Sequence, residues 1–164
     1  MLAGLRAETL DAALMMEPSK QAAPGVAFDA LQRFPVGIAV ASAHPFARRK
    51  SVTIPEALAG PLVAYSRREY PDYHAMVIRR VGTKFKRVNF AEECDSGPSL
   101  IAAIQSGRGL CIIPSFVASA AAGRVKFVPL APDPAPAVLG IAYRQGRIPP
   151  LLRALIEAAR AIAR

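Results

Sequence analysis

The sequence predicts an α/β fold built largely on parallel strands, and three observations lead there. Strand-like and helix-like segments alternate along the chain. Several of the strand-like segments, such as residues 36–41 (VGIAVA) and 110–113 (LCII), are short unbroken apolar runs, as in strands covered on both faces. Proline and glycine punctuate the helical segments at their starts and stops.

Taken in order, residues 10–16 (LDAALMM) read as a buried strand, and a stretch with Pro18, Pro24 and Gly25 separates them from residues 26–33. Residues 36–41 form the second buried strand, followed by a polar turn that carries His44 and Pro45. Thr53-Ile54-Pro55-Glu56 opens a short helix. Threonine can cap it, proline suits its first turn, and Glu56 stands three residues on, as in a capping box. Gly60-Pro61 stops that helix, and residues 62–65 give a strand. Residues 71–81 give a helix with proline in its first turn and Gly82 at its end. A strand is expected over 85–90, a turn over 94–97, and a helix over 98–106 closed by Gly107. Strands at 110–113, 125–128 and 138–143 surround a brief helix at 115–121. A final helix over 149–163 places Leu151, Leu152, Leu155, Ile156, Ala159 and Ile162 at helical spacing.

Composition narrows the function classes. The chain has 164 residues, 52% hydrophobic and 20% charged, an ordinary balance for one domain or two small lobes. No long uncharged apolar run predicts a membrane span, and no leader pattern opens the sequence, so a cytoplasmic protein is expected. Cys94 and Cys111 form no CxxC motif, which favours buried reduced thiols. With only His44 and His74 beside them, no metal site and no cofactor are expected. The net charge is +9, and residues 45–94 hold ten Lys/Arg as scattered pairs and triplets. Sparse aromatic interleaving makes a solvated surface the favoured reading over a nucleic-acid platform. No GxSxG elbow occurs, and Glu92-Glu93 read as surface charges rather than an acid/base pair, so no enzyme is expected.

Three segments carry a resemblance to LysR-type transcriptional regulators. Leu10-Asp11-Ala12-Ala13-Leu14 resembles the L-D-x-x-[LI] strand of their C-terminal effector (substrate)-binding domains. His44-Pro45-Phe46-Ala47, with residues 54–58 and Pro61-Leu62-Val63, resembles the family's H-P-L-A passage, with Phe46 where leucine is commoner. Residues 99–114, running from Ser99 through Gly107-Arg108-Gly109 to Pro114, are similar to its helix, glycine turn, strand and proline. Gly107-Arg108-Gly109 is read as a helix-to-strand connection and not a phosphate loop.

The resemblance implies a periplasmic-binding-protein-like (type 2) fold of two lobes with mixed, mainly parallel sheets. Residues 1–42 plus 138–164 would form a partial first lobe and 43–137 the second. The strand–helix–strand that opens the family's domain ahead of the Leu10 segment has no counterpart, nor has its winged helix-turn-helix. The implied function is effector sensing: a small, acidic molecule held between the lobes modulates DNA binding by the absent N-terminal domain. A solute-binding protein of the same fold is the alternative, and a nucleic-acid binder acting through basic patches is a third reading. Homo-oligomers are expected, with DNA contacted only through the absent domain.

Candidate ligand contacts are Met15, Met16 and Glu17 after the first strand, Ser66, Arg67, Pro71 and Tyr73 around the start of helix 71–81, and Ser96 and Gly97 before helix 98–106. The contacts after the first strand and at residues 66–73 are what the resemblance implies; at the two helix starts the physical reason is that N-termini present free N–H groups and a dipole suited to a carboxylate. Each has a plainer reading: Ser96 as a cap, Arg67 as a solvated charge, Tyr73 as core.

Overall fold

The structure is a computed structural model. It describes residues 1–19, 21–88, 90–146 and 148–163, without the side chains of Lys86 and Arg87. In chain order the first elements are α1 (Leu2–Arg6), β1 (Ala12–Met16), β2 (Val26–Phe34), β3 (Val36–Val40), β4 (Val52–Thr53), α2 (Ile54–Ala59), β5 (Val63–Tyr65) and α3 (Pro71–Val81). There follow β6 (Glu92–Cys94), α4 (Gly97–Gln105), β7 (Cys111–Pro114), α5 (Ser115–Ala120), β8 (Lys126–Ala131), β9 (Ala137–Arg144) and α6 (Pro150–Ile162). Short 3₁₀ helices occupy Pro45–Arg48 and Thr83–Arg87. The chain divides into two compact units, Met1–Arg33 with Ala137–Arg164, and Phe34–Pro136.

The first unit is a three-stranded sheet in the order β1-β9-β2. β1 runs antiparallel to β9, with Leu14 opposite Ile141. Side chains alternate between the faces, and each face takes one helix. Leu5 of α1 packs on Ala13, Met15 and Ala142, while Leu152 and Ile156 of α6 pack on Ile141 and Tyr143. Tyr143 donates its hydroxyl to Asp29 on β2 at 2.8 Å, and Asp29 also pairs with Arg160 of α6.

In the second unit β4-β8-β3-β7 form one sheet and β5-β6 another. A parallel bridge between Leu62 and Leu110 joins β5 to the β7 side. β4 is parallel to β8 and β5 to β6, whereas β3 is antiparallel to both of its neighbours. β3 was expected in the first lobe, but its five residues are all buried and its hydrogen bonds run to β7 and β8. A strand apolar on both faces needs neighbours on both sides and layers above and below, and the second unit supplies them.

The helix starts follow local chemistry. Thr53 and Glu56 form the reciprocal capping box, with Glu56 Oε2 accepting the Thr53 N–H at 2.8 Å. α3 has the bounds that Pro71 and Gly82 set. Gly107 ends the α4 turn at φ +76°, and at Gly109 an added Cβ would lie 2.6 Å from the Pro61 carbonyl oxygen. The strand expected over 85–90 is not seen among the described residues: Thr83–Arg87 is a 3₁₀ turn, Asn89 lies outside the described residues, and a strand falls at Glu92–Cys94, taking the first residue of the turn expected over 94–97. Phe85 and Phe90 turn inward and meet edge to face at 5.3 Å, so their apolar burial takes place without a ladder. Residues 2–6, with no predicted element, form the short helix α1.

Candidate functional site

The C-terminal ends of adjacent parallel strands are where α/β sheets hold their ligands, because the following helix starts open there. In the second unit β5 and β6 pair directly, Tyr65 opposite Cys94. The two loops that leave them carry Ser66 and Arg67 on one side and Ser96 and Gly97 on the other. Three contacts tie these loops together. The Ser66 N–H donates to the Cys94 carbonyl at 2.7 Å, the Arg67 N–H to Glu93 Oε2 at 3.0 Å, and the Tyr70 hydroxyl to the Asp95 carbonyl at 2.9 Å.

Ser66 is half-buried, and its carbonyl accepts the Tyr70 N–H at 2.9 Å. Arg67 is exposed, and its guanidinium has no hydrogen bond among the described residues. Pro71 is exposed at the first position of α3, where its missing N–H costs nothing. Ser96 caps α4 by accepting the Ser99 N–H at 3.3 Å, and its hydroxyl meets that of Ser99 at 2.7 Å. Gly97 opens α4, with the Tyr65 hydroxyl 3.6 Å from where its Cβ would be. Tyr73 takes the core reading: its hydroxyl donates to the Ile112 carbonyl at 3.0 Å, and burial pushes the phenol well above its usual range.

Beneath the loops lies an aromatic support of which the sequence singled out only Tyr73. Tyr65 stacks against Tyr70 at 4.6 Å and meets Tyr73 edge-on at 5.2 Å. Burial pushes the Tyr65 phenol up to about 12. His74 is 3% exposed, and its Nε2 lies 2.6 Å from the Tyr65 carbonyl. A carbonyl only accepts, so Nε2 carries the hydrogen, and Nδ1, buried among the rings of Tyr73, Phe85 and Phe90, has no hydrogen-bond partner among the described residues. His74 therefore fixes the last carbonyl of β5, just ahead of Ser66. The one sequence signal was the aromatic spacing Tyr70, Tyr73, His74 at a helix start.

Beside the loops is an apolar hollow of about 350 Å³ whose lining includes Tyr65, Gly97, Ile101, Phe116, Val117 and Arg124. A larger one of about 790 Å³ opens at the opposite end of α3, at Val81–Lys84, away from the candidate residues.

The remaining candidates belong to the first unit. Met15 is 4% exposed and packs against Leu5, Ala13 and Ala142, so it serves that core. Met16 is half-buried on the opposite face of β1. Glu17 is exposed, and its N–H donates to the Val138 carbonyl at 2.8 Å.

Among the described residues neither histidine has a nucleophile as a hydrogen-bond partner. His44 Nδ1 accepts the Phe46 N–H at 3.1 Å, and His74 bonds backbone. Burial pushes the Cys111 thiol up to about 12 and also raises that of Cys94. Glu92 pairs with Arg108 and Glu93 holds the Arg67 N–H, so the two carboxylates have separate duties. Among the described residues no three His, Cys, Asp or Glu side chains gather as a metal site, and no helix is long and apolar enough to cross a membrane.

A family model described as LysR substrate binding domain matches residues 1–164. The HTH-type transcriptional regulator TtuA of Agrobacterium vitis is 30% identical over 99 residues, which is 60% of this chain and 32% of that protein. The chain thus aligns with about a third of its curated relative's length. Among solved structures, the BenM effector binding domain with its effector benzoate superposes with a TM-score of 0.76 at 20% identity, covering 98% of this chain and 72% of that one. The effector binding domain of QuiR in complex with shikimate gives 0.72 at 16% identity, covering 99% and 76%.

Proposed function

The chain belongs to the LysR substrate binding domain family, and we propose that it senses a small organic acid for a transcription regulator. The two compact units would be the two lobes of the type 2 periplasmic-binding-protein-like fold. The observation that carries the reading is the pair of strand-end loops at β5 and β6, braced by Tyr70 and Glu93, which carry Ser66 and the exposed Arg67 on one side and Ser96 on the other. A carboxylate suits guanidinium, hydroxyl and helix N-terminal N–H groups together. The solved structures named above hold benzoate and shikimate, both carboxylic acids. Met16 and Glu17 of the first unit belong to the same proposal, while Met15 and Tyr73 support from the core. Effector binding would modulate DNA binding by an N-terminal winged helix-turn-helix in the cytoplasm.

Calorimetry against a panel of aromatic and aliphatic acids tests this. Heat for at least one carboxylic acid, weakened about tenfold by Arg67→Ala, is the expected result. Absence of heat for the whole panel, in this chain and in a full-length regulator, contradicts it. A gel shift with this chain alone should show no sequence-specific DNA binding.

A further inference from the structure

The apolar hollow beside the strand-end loops starts at the candidate site itself. Gly97 and Tyr65 belong to both: Gly97 opens α4, Tyr65 ends β5, and the Tyr65 hydroxyl lies 3.6 Å from where a Gly97 Cβ would be. Ile101 of α4 and Phe116 and Val117 of α5 line the hollow, and so does Arg124. Its volume of about 350 Å³ lies within the range of small-ligand pockets. The lining is held from behind. The Tyr65 ring is gripped by those of Tyr70, at 4.6 Å, and Tyr73, at 5.2 Å. Phe116 packs on Phe34 at 4.8 Å, and Ile101, 5% exposed, belongs to the core cluster. Side chains braced in this way do not fall into the space, so a ligand meets it preformed.

The chemistry of the lining selects among acids. Of the described residues that line the hollow, only Tyr65 and Arg124 have polar side chains. With its phenol pushed up to about 12, Tyr65 keeps its proton at neutral pH and donates it to a ligand oxygen. Arg124 Nε donates to the Ala121 carbonyl at 3.0 Å, which orients the guanidinium plane. Such a plane stacks on aromatic faces, and the rings of Tyr65 and Phe116 favour another ring in the same way. A saturated ring gains neither contact. A ring bearing several hydroxyls brings more polar groups than this lining can pair, and each one left unpaired weakens binding.

We infer that this hollow receives the body of the effector, and that the effector is an aromatic carboxylic acid. Its carboxylate stays at the strand-end loops, and its ring enters the hollow beside Tyr65, Phe116 and Val117. Val117 then sets the width of the ring accepted, and Arg124 the preference for an aromatic over a saturated one. The inference rests on the reading of the two loops as the effector site. It also separates the acids held by the two similar structures: benzoate is a bare aromatic ring, whereas the ring of shikimate is not aromatic and carries several hydroxyls.

Calorimetry of the whole chain with benzoate, cyclohexanecarboxylate, shikimate and 2-naphthoate tests it, with circular dichroism confirming that each variant folds. Benzoate should bind about tenfold more tightly than shikimate, and more tightly than cyclohexanecarboxylate. Val117→Phe, which fills the hollow, should weaken benzoate about tenfold, and Val117→Ala, which widens it, should turn the preference toward 2-naphthoate. A merely structural role for Val117 would weaken both acids alike. Arg124→Leu should erase the preference for benzoate over cyclohexanecarboxylate. Toluene, an uncharged ring, should shift the Gly97 and Val117 amides saturably. Shikimate binding as tightly as benzoate, an order of acids unchanged by the Val117 and Arg124 variants, or toluene shifts confined to other residues overturns the inference while leaving the loops as the effector site. Binding of none of the acids defeats the effector reading itself, and the inference with it.

Discussion

The two units bury their apolar residues in different ways. In the second unit, short strands apolar on both faces lie under helices, and one cluster gathers Val63, Cys94, Leu100, Ile104, Cys111, Ile113 and Ala118. In the first, a three-stranded sheet separates two small clusters, and α6 leaves Leu151, Leu155 and Ile162 in solvent. Buried area drives stability, so the difference teaches that the second unit can hold braced loops at its strand ends, while the first buries fewer apolar residues.

Core truncation gives the largest test of that contrast. Ile104→Ala, at a fully buried position of the second unit, should cost about 4 kcal/mol, and Leu152→Ala, at the edge of the smaller cluster, about 2 kcal/mol. Urea unfolding measures both, and equal costs would erase the distinction. Gly109→Ala comes next, at about 2 kcal/mol, because its Cβ would meet the Pro61 backbone, which cannot swing aside.

Smaller is the helix cap. Thr53→Ala should cost about 1 kcal/mol. Hydrogen bonds from Arg49 and Thr53 hold the Glu56 carboxyl down at about 2, against an ordinary 4.5. The folded protein therefore binds this proton less readily than the unfolded chain. The contribution of Glu56 is complete above about 4.5 and lost as pH falls toward 2. Acid titration of helicity should show that loss, and Glu56→Gln should flatten it. The smallest stability effect belongs to Arg67→Ala, within about 0.5 kcal/mol, since the side chain is exposed. A large destabilisation there would make Arg67 structural rather than ligand-facing.

What the sequence revealed follows from where the decisive forces lie. α3 and the α2 capping box were legible because proline, glycine, threonine and glutamate act within a turn or two of themselves. The alternation of short apolar runs with helices showed the α/β class. β6 was not legible, since Glu92 and Glu93 are poor strand formers that enter a ladder only because β5 offers one. Phe85 and Phe90 mimicked a strand because apolar residues at that spacing look alike whether a ladder or neighbouring rings bury them, and here they pack on each other and on His74 of α3. The run 36–40 was plainly a strand, but which sheet it joins is a long-range choice. At the candidate site, Ser66, Arg67, Ser96 and Gly97 were proposed from the resemblance and the two helix starts, and the pairing of β5 with β6 puts the loops that carry them at neighbouring strand ends. His74 and Tyr70 were missed because their duties, holding the Tyr65 and Asp95 carbonyls, exist only once β5 and β6 are paired.

The most direct test of the central claim is an amide-shift titration of the isotopically labelled chain with benzoate and with shikimate. The loops after β5 and β6 should respond, with saturable shifts at Ser66, Arg67, Ser96 and Gly97, and Arg67→Ala should weaken them. Saturable shifts confined to other parts of the chain, or none with either acid, would contradict the assignment of the effector site to these two strand ends.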